Sequence, residues 1–376
     1  MWRKIILTCL LFFSFYSLSN GQSFFRKYIN QIVNDTSDIS RPQFLIYPTL
    51  AYAPETSWEI GFSSLLVYYA NRDTTNRLSE INGFTFVTLE NQYGLWFDHA
   101  IYSDQNKWFY LGRLRFQSFP LQYHGIGMDT PERYVALVDA NQIIIKERVL
   151  REVRKNLYFG LEAEFQRMSS VEFKPGPEFE DLELPLGFEG SDNLGLGLGL
   201  VYDTRHNVLN VRDGAFSELG FVRYFPFKSD FSFNSIISDT RIYRPVGLHN
   251  VFAFQFLGQF TQGNVPFNQL ALMGGENMMR GYYLGRFRDR NQLATQAEFR
   301  MLPIPFSFTN RIGAAAFAGA GTVFPDFSRA AIHKVVWSAG GGLRFLLFPK
   351  KDIYTRFDVA FTQEGMGYYL FIGEAF

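Results

Sequence analysis

The side chains that most often carry catalysis are scattered through this sequence. His99, His124, His206, His249 and His333 stand far apart, and none forms H-E-x-x-H or another close ligand pair. No zinc site is expected from that spacing. There is no G-x-S-x-G nucleophile elbow. The runs at Gly195–Gly199 and Gly340–Gly342 lie inside strand-like segments with no helix following, which argues against a dinucleotide site. The acidic run EFEDLE at 178–183 reads as a solvated loop. These patterns predict no catalytic residue, no metal and no cofactor, and they point away from an enzyme.

One constellation does call for chemistry of another kind. GGENMMRGYYLGRFRDRNQ, residues 274–292, gathers Arg280, Arg286, Arg288 and Arg290 among glycines and aromatic residues. A planar guanidinium suits bidentate bonding to a carboxylate better than an ammonium does. Lying outside, such a loop would bind anionic lipopolysaccharide. Folded inward, Arg280 would anchor on an acid, Gly281 would allow the sharp turn, and Tyr282 and Tyr283 would pack the tip. Acids on polar faces are Glu298, Asp358, Glu162 and Glu164.

The scaffold that positions this loop is written in period two. LGLGLGLVYD (194–203) sets leucines and Tyr202 against glycines and Asp203, and LYFGLEAEFQ (157–166) sets Phe159, Leu161 and Phe165 against Glu162, Glu164 and Gln166. IYTRFDVAF (353–361) and LATQAEFRM (293–301) alternate likewise. Aromatics make up 18% of the chain while mean hydropathy is near zero, so apolar and polar residues are finely interleaved. Candidate strands of about ten residues, greasy on one face and charged on the other, suit a tilted bilayer crossing around a wet lumen better than a soluble sandwich.

Sixteen such strands are predicted between residues 43 and 376, an even number that leaves both ends in the periplasm. The long connections, at 120–132, 171–191 and 263–291, then all face outside. The expected fold is an all-β, 16-stranded antiparallel transmembrane β-barrel with a long outer loop folded into the lumen. Arg3 and Lys4, the apolar run IILTCLLFFSF and the small residues before Gly21 read as a signal peptide over 1–21. The only cysteine, Cys9, falls inside it, so disulfides and thiol chemistry are excluded from the mature chain. Residues 22–42 read as a short periplasmic segment with one apolar helical face, and 43–376 as the barrel. No later run is long and apolar enough for a membrane helix. Zero net charge gives no case for a nucleic-acid partner.

MMRGYY, placed between the eleventh and twelfth strands, resembles the [V/L/M]-R-G-[F/Y] signature of the BamA/TamA-type superfamily, the bacterial surface antigen family. The likeness extends through GRFRDRNQLATQAEFR (285–300), GLVYDTRHNVLNVRDGAFSE (199–218) and SAGGGLRF (338–345). It implies an outer-membrane location and a latch in which Arg280 is the lumen anchor, completed by Gly281 and Tyr282. In the family pattern F-x-D-x-G an acid sits on the next strand; here FAGAG (317–321) places Gly319 at that position. Glu298 is then the first choice of partner, with Asp358 to compensate. The terminal Phe376, after Tyr368, Leu370 and Ile372, resembles the C-terminal signal of such barrels, although Glu374 interrupts the apolar face.

Family members usually carry periplasmic polypeptide-binding domains, and the 22–42 segment has no room for one, so a barrel-only member is implied. The leading expectation is a barrel acting in outer-membrane biogenesis by insertion or translocation of protein or lipid. Its partners would be outer-membrane lipids and lipopolysaccharide, a nascent outer-membrane protein, and a separate periplasmic partner. The alternative is a pore or structural barrel for small solutes, with the arginine loop as constriction.

Overall fold

The computed structural model describes residues 38–53, 57–89, 92–118, 120–178, 183–327 and 333–376. The expected signal peptide and residues 22–37 of the segment after it lie outside the described residues.

Sixteen long strands follow one another: β1 Gln43–Ala53, β2 Ser57–Tyr69, β3 Leu78–Thr88, β4 Tyr93–Tyr102, β5 Trp108–Ser118, β6 Ala136–Arg154, β7 Leu157–Pro175 and β8 Ser191–Asp203. The second half continues with β9 Gly214–Pro226, β10 Phe233–Val246, β11 Asn250–Gly263, β12 Asn291–Met301, β13 Ile312–Phe324, β14 Val336–Phe348, β15 Ile353–Thr362 and β16 Gly365–Ile372. Each pairs antiparallel with its sequence neighbour, and a short seventeenth strand, Leu121–Tyr123, adds to the outer end of β6. The architecture is the expected transmembrane barrel. β1 pairs with β2 and β16 with β15; among the described residues no ladder joins β1 to β16.

Alternation sets the two faces. Leu161, Leu196, Leu198, Phe299, Phe357 and Phe361 are exposed on the outer wall, where lipid lies, while their neighbours Glu162, Glu298, Arg300, Arg356 and Asp358 are buried inside. Wall glycines such as Gly112 make room for bulkier neighbours: a Cβ there would run into His99 and Glu147. The two longest strands, β6 and β7, have 19 residues each. Their outer ends carry half-buried Asp139 and exposed Glu172 and Lys174, because beyond the bilayer nothing demands an apolar face.

The end of the sheet departs from expectation. β16 stops at Ile372, and Gly373 adopts φ +87°, turning the chain inward. Phe376 therefore does not continue the exposed face of Tyr368 and Leu370. It is buried with Val211, Tyr243 and Val251, beneath the Arg300 guanidinium. Glu374, which interrupts the apolar pattern, turns in with it and meets Arg344 at 2.9 Å.

Candidate functional site

The connection between β11 and β12 covers residues 264–290 and doubles back as a small hairpin, Ala271–Met273 against Phe287–Asp289. Its tip, residues 274–286, descends into the barrel. Met273, Met278, Met279, Tyr282 and Phe287 form an apolar core with Met128 from the β5–β6 connection and with Ala294, Val323 and Val336 from the wall. Burying that surface holds the loop inside. The outer connections interlock above it: the Gly127 N–H donates to the Arg288 carbonyl at 2.8 Å, and the Phe267 N–H to the Leu186 carbonyl at 2.9 Å.

Arg280 lies at the bottom of this descent with its side chain 0% exposed. Its Nη2 donates to Glu298 Oε2 and its Nη1 to Asp358 Oδ2, each at 2.6 Å. The guanidinium lies 3.4 Å from the centroid of the Phe317 ring. The Ser338 hydroxyl donates to the Arg280 carbonyl, and the Gly281 N–H donates to the Tyr369 hydroxyl at 2.7 Å. Gly281 has φ +103°, and a Cβ there would meet Thr362 Cγ2 at 2.5 Å, so both the turn and the close approach require glycine.

The two acids also serve the wall. Glu298 Oε1 accepts from Arg300 at 2.8 Å and from Arg344 at 3.4 Å. Asp358 Oδ1 accepts from Arg344 at 2.5 Å, and its Oδ2 lies 3.4 Å from Arg356. With Glu374, three carboxylates face four guanidiniums, those of Arg280, Arg300, Arg344 and Arg356. Burial on this scale is tolerable only because each charge is paired and hydrogen-bonded.

The structure brings Arg280, Gly281, Tyr282, Glu298 and Asp358 together. It does not bring Glu162 or Glu164 to the loop: they pair with Arg148 and Lys146 on the opposite wall, each at 2.8 Å. Gly319, where an acid would fit the motif, faces the loop instead, its hypothetical Cβ 3.6 Å from Met279 Sδ. Among the other loop arginines, Arg286 forks onto Glu364 at 2.6 and 2.7 Å. Arg288 donates to the Gln122 and Gly285 carbonyls, and stacks over Tyr123. Burial without a carboxylate pushes Arg288 down to about 10. Arg300, Arg344, Arg356 and Tyr369 complete the site without having been singled out. Lumen parity was the available signal for the three arginines.

The fold is that of an integral outer-membrane β-barrel whose outer loop is pinned to the inner wall by a buried arginine. The chain belongs to the Omp85 superfamily: the Omp85 superfamily domain matches residues 138–372. Among solved structures, BamA from Haemophilus ducreyi lacking POTRA domains 1–3 aligns with TM-score 0.53 and 14% identity, over 88% of this chain and 69% of that one. CdiB from Acinetobacter baumannii aligns with TM-score 0.53 and 11% identity, over 88% of this chain and 65% of that one. CdiB from Escherichia coli gives 0.52 and 10%, over 88% and 62%. This chain thus spans just under two thirds of each CdiB, and at such identities the likeness is one of fold. No curated protein sequence matches the chain significantly.

Proposed function

We propose that the protein is a non-enzymatic outer-membrane barrel that acts in membrane biogenesis, inserting or translocating protein or lipid. The observation that carries this reading is the lumen latch, Arg280 held between Glu298 and Asp358. The first strand, QFLIYPTLAYA, is the proposed template edge for an incoming strand. The latch keeps the rest of the wall rigid while that edge works. Outer-membrane lipids and lipopolysaccharide surround the outer wall, and a nascent outer-membrane protein, delivered by a separate periplasmic partner, is the expected cargo. The signal peptide over 1–21 and the periplasmic segment over 22–42 belong to the same reading.

One observation favours the second reading, a pore for small solutes. Below the loop, a cavity of about 500 Å³ is lined by charges of both signs, among them Glu80, Arg113, Lys146 and Arg241. Depletion of the protein, followed by quantification of other outer-membrane proteins and lipids, separates the two. A fall in either supports biogenesis. Unchanged levels, with planar-bilayer conductance that persists in Arg280→Ala, sink it in favour of the pore.

A further inference from the structure

The lipid-facing pattern of the outer wall is interrupted by an ionisable pair on β4 and β6. On β4, Leu95 and Phe97 are exposed outward, while Asp98 turns inward to Arg113 and Arg115 at 3.1 Å. The next outward position is His99. On β6, Arg148 turns inward to Glu162, and Val149 is exposed outward. The outward position before Val149 is Glu147. Gly112 of β5 lies between the two residues and is in register with both. A Cβ on Gly112 would run into the His99 ring and lie 2.5 Å from Glu147 Oε2, so both side chains lean over this glycine. Tyr110 and Phe116, of the same parity, are exposed to lipid.

The pair stands at the level of the bilayer interior. Four residues toward the periplasm, Arg151 lies over the Trp108 ring at 5.8 Å, an arrangement suited to the membrane interface. Four residues the other way, Ile143 is in register with Arg167, which pairs with Asp192 at 3.5 Å. Each margin is about 13 Å along the strand from Glu147. An ionisable side chain at this depth is costly against lipid and marks a contact. His99 and Glu147 leave each other incompletely served. Nε2 and Oε2 are 3.5 Å apart, longer than the roughly 2.8 Å of a charge-assisted hydrogen bond, and the Glu147 side chain stays 39% exposed.

We propose that this face binds a second copy of the chain within the bilayer, about a two-fold axis along the membrane normal. An imidazole donor beside a carboxylate acceptor is self-complementary. The axis sets each His99 against the partner's Glu147 and closes a ring of four groups. The floor suits close approach: Gly112 has no side chain, and exposed Ala163, in register with Glu147, has only a methyl. Phe97 and Val149 supply an apolar rim that shields the ring from lipid. A lipid amine would meet the carboxylate alone, and headgroups lie at the interface instead of at this depth. The contact holds whether the barrel inserts cargo or passes solutes.

The test uses the full chain with Cys9→Ser and Lys155→Cys, the latter in the exposed β6–β7 turn. Copies labelled with donor or acceptor dye are folded together in lipid vesicles, and energy transfer should persist as lipid dilutes the protein. Glu147→His gives each copy two imidazoles, and His99→Glu gives two carboxylates. Each variant alone should self-associate roughly tenfold or more weakly, because like groups then oppose across the axis. Mixing the two variants should restore association to within about threefold of the wild type, a recovery that no folding defect produces. If either variant lacks the gel shift of a folded barrel, Ala163→Trp takes its place. It keeps both ionisable groups, fills the floor, and should weaken association roughly tenfold. Wild-type transfer at the level of random mixing, or transfer unchanged in these variants, overturns the proposal. So does a mixture no better than its components. A monomer that retains an amine phospholipid, released by Glu147→Gln, also overturns it and assigns the face to lipid.

Discussion

Arg280 and Asp358, 78 residues apart in the chain, meet at 2.6 Å with both side chains 0% exposed. One belongs to a loop and the other to the wall, and that difference decides what each substitution does. Without Arg280 the wall keeps three guanidiniums and three carboxylates, a balanced set. Without Asp358, four guanidiniums face only Glu298 and Glu374.

Arg280→Ala is therefore expected to cost the barrel less than Asp358→Ala. The first removes two charge-assisted bonds and a ring contact, at about 1–3 kcal/mol. The second strands buried cations, at about 3–5 kcal/mol. The temperature at which the unboiled protein loses its folded gel mobility should fall further for Asp358→Ala. The reverse order would mean that the loop, not the wall, holds the ion network together.

Backbone geometry separates Gly281 from its hydrogen-bond partner. Gly281→Ala meets both a left-handed φ and Thr362, which should cost more than 1 kcal/mol and loosen the tip. Tyr369→Phe removes only the hydroxyl that accepts from Gly281, at about 1 kcal/mol. Hydrogen exchange over 274–286 should rise more in Gly281→Ala than in Tyr369→Phe, and equal protection would contradict the close approach.

The barrel and most of this site were legible because lipid and lumen impose opposite demands on alternate residues. Parity alone put Glu298 and Asp358 indoors, and strand count put the arginine loop outside with a lumen below it. Convergence was not legible. Arg344 lies on β14 and Glu374 beyond β16, and nothing in a linear spacing says that barrel curvature aims Arg344 at both Glu298 and Glu374. The end of β16 was misread for a related reason. Residues 374–376 continue a period-two pattern, yet Gly373 breaks the strand and the pattern then serves a buried cluster at the periplasmic mouth.

The outer connections contain a buried histidine whose titration should make their stability depend on pH. His124 is buried beside Arg286 and Arg288, and burial first, then those cations, lower it from 6.5 to about 4. Its folded form thus binds fewer protons than its open form between those values. Stability is whole above about pH 6.5 and is lost as pH falls toward 4. Limited proteolysis within 120–135 should accelerate from pH 7 to pH 4.5, and His124→Asn should flatten that profile. A wild-type rate that ignores pH would place the imidazole in solvent.

Gly319 offers the sharpest test of the charge count. The cluster has one guanidinium too many, and Arg280 Nε has no hydrogen-bond partner. An aspartate at 319 would add a fourth carboxylate on the strand beside Ser338, whose hydroxyl already bonds the Arg280 main chain. Its Cβ would sit 3.0 Å from the Thr295 carbonyl oxygen and 3.1 Å from Gln296 Cβ, so any side chain there carries a steric cost. Gly319→Asn carries the same steric cost without the charge. With Arg280 present, Gly319→Asp should be more stable than Gly319→Asn by about 1–2 kcal/mol, the scale of a charged hydrogen bond. In an Arg280→Ala background the remaining set is already neutral, and an aspartate becomes the surplus anion in a dry site. The order should then invert, with Asn the more stable. Gel-mobility midpoints for the four double and single variants form one thermodynamic cycle, and its coupling term isolates the 280–319 interaction from packing. A coupling near zero would mean that the extra cation is neutralised elsewhere, and that the family's acid was dispensable here for reasons of space alone.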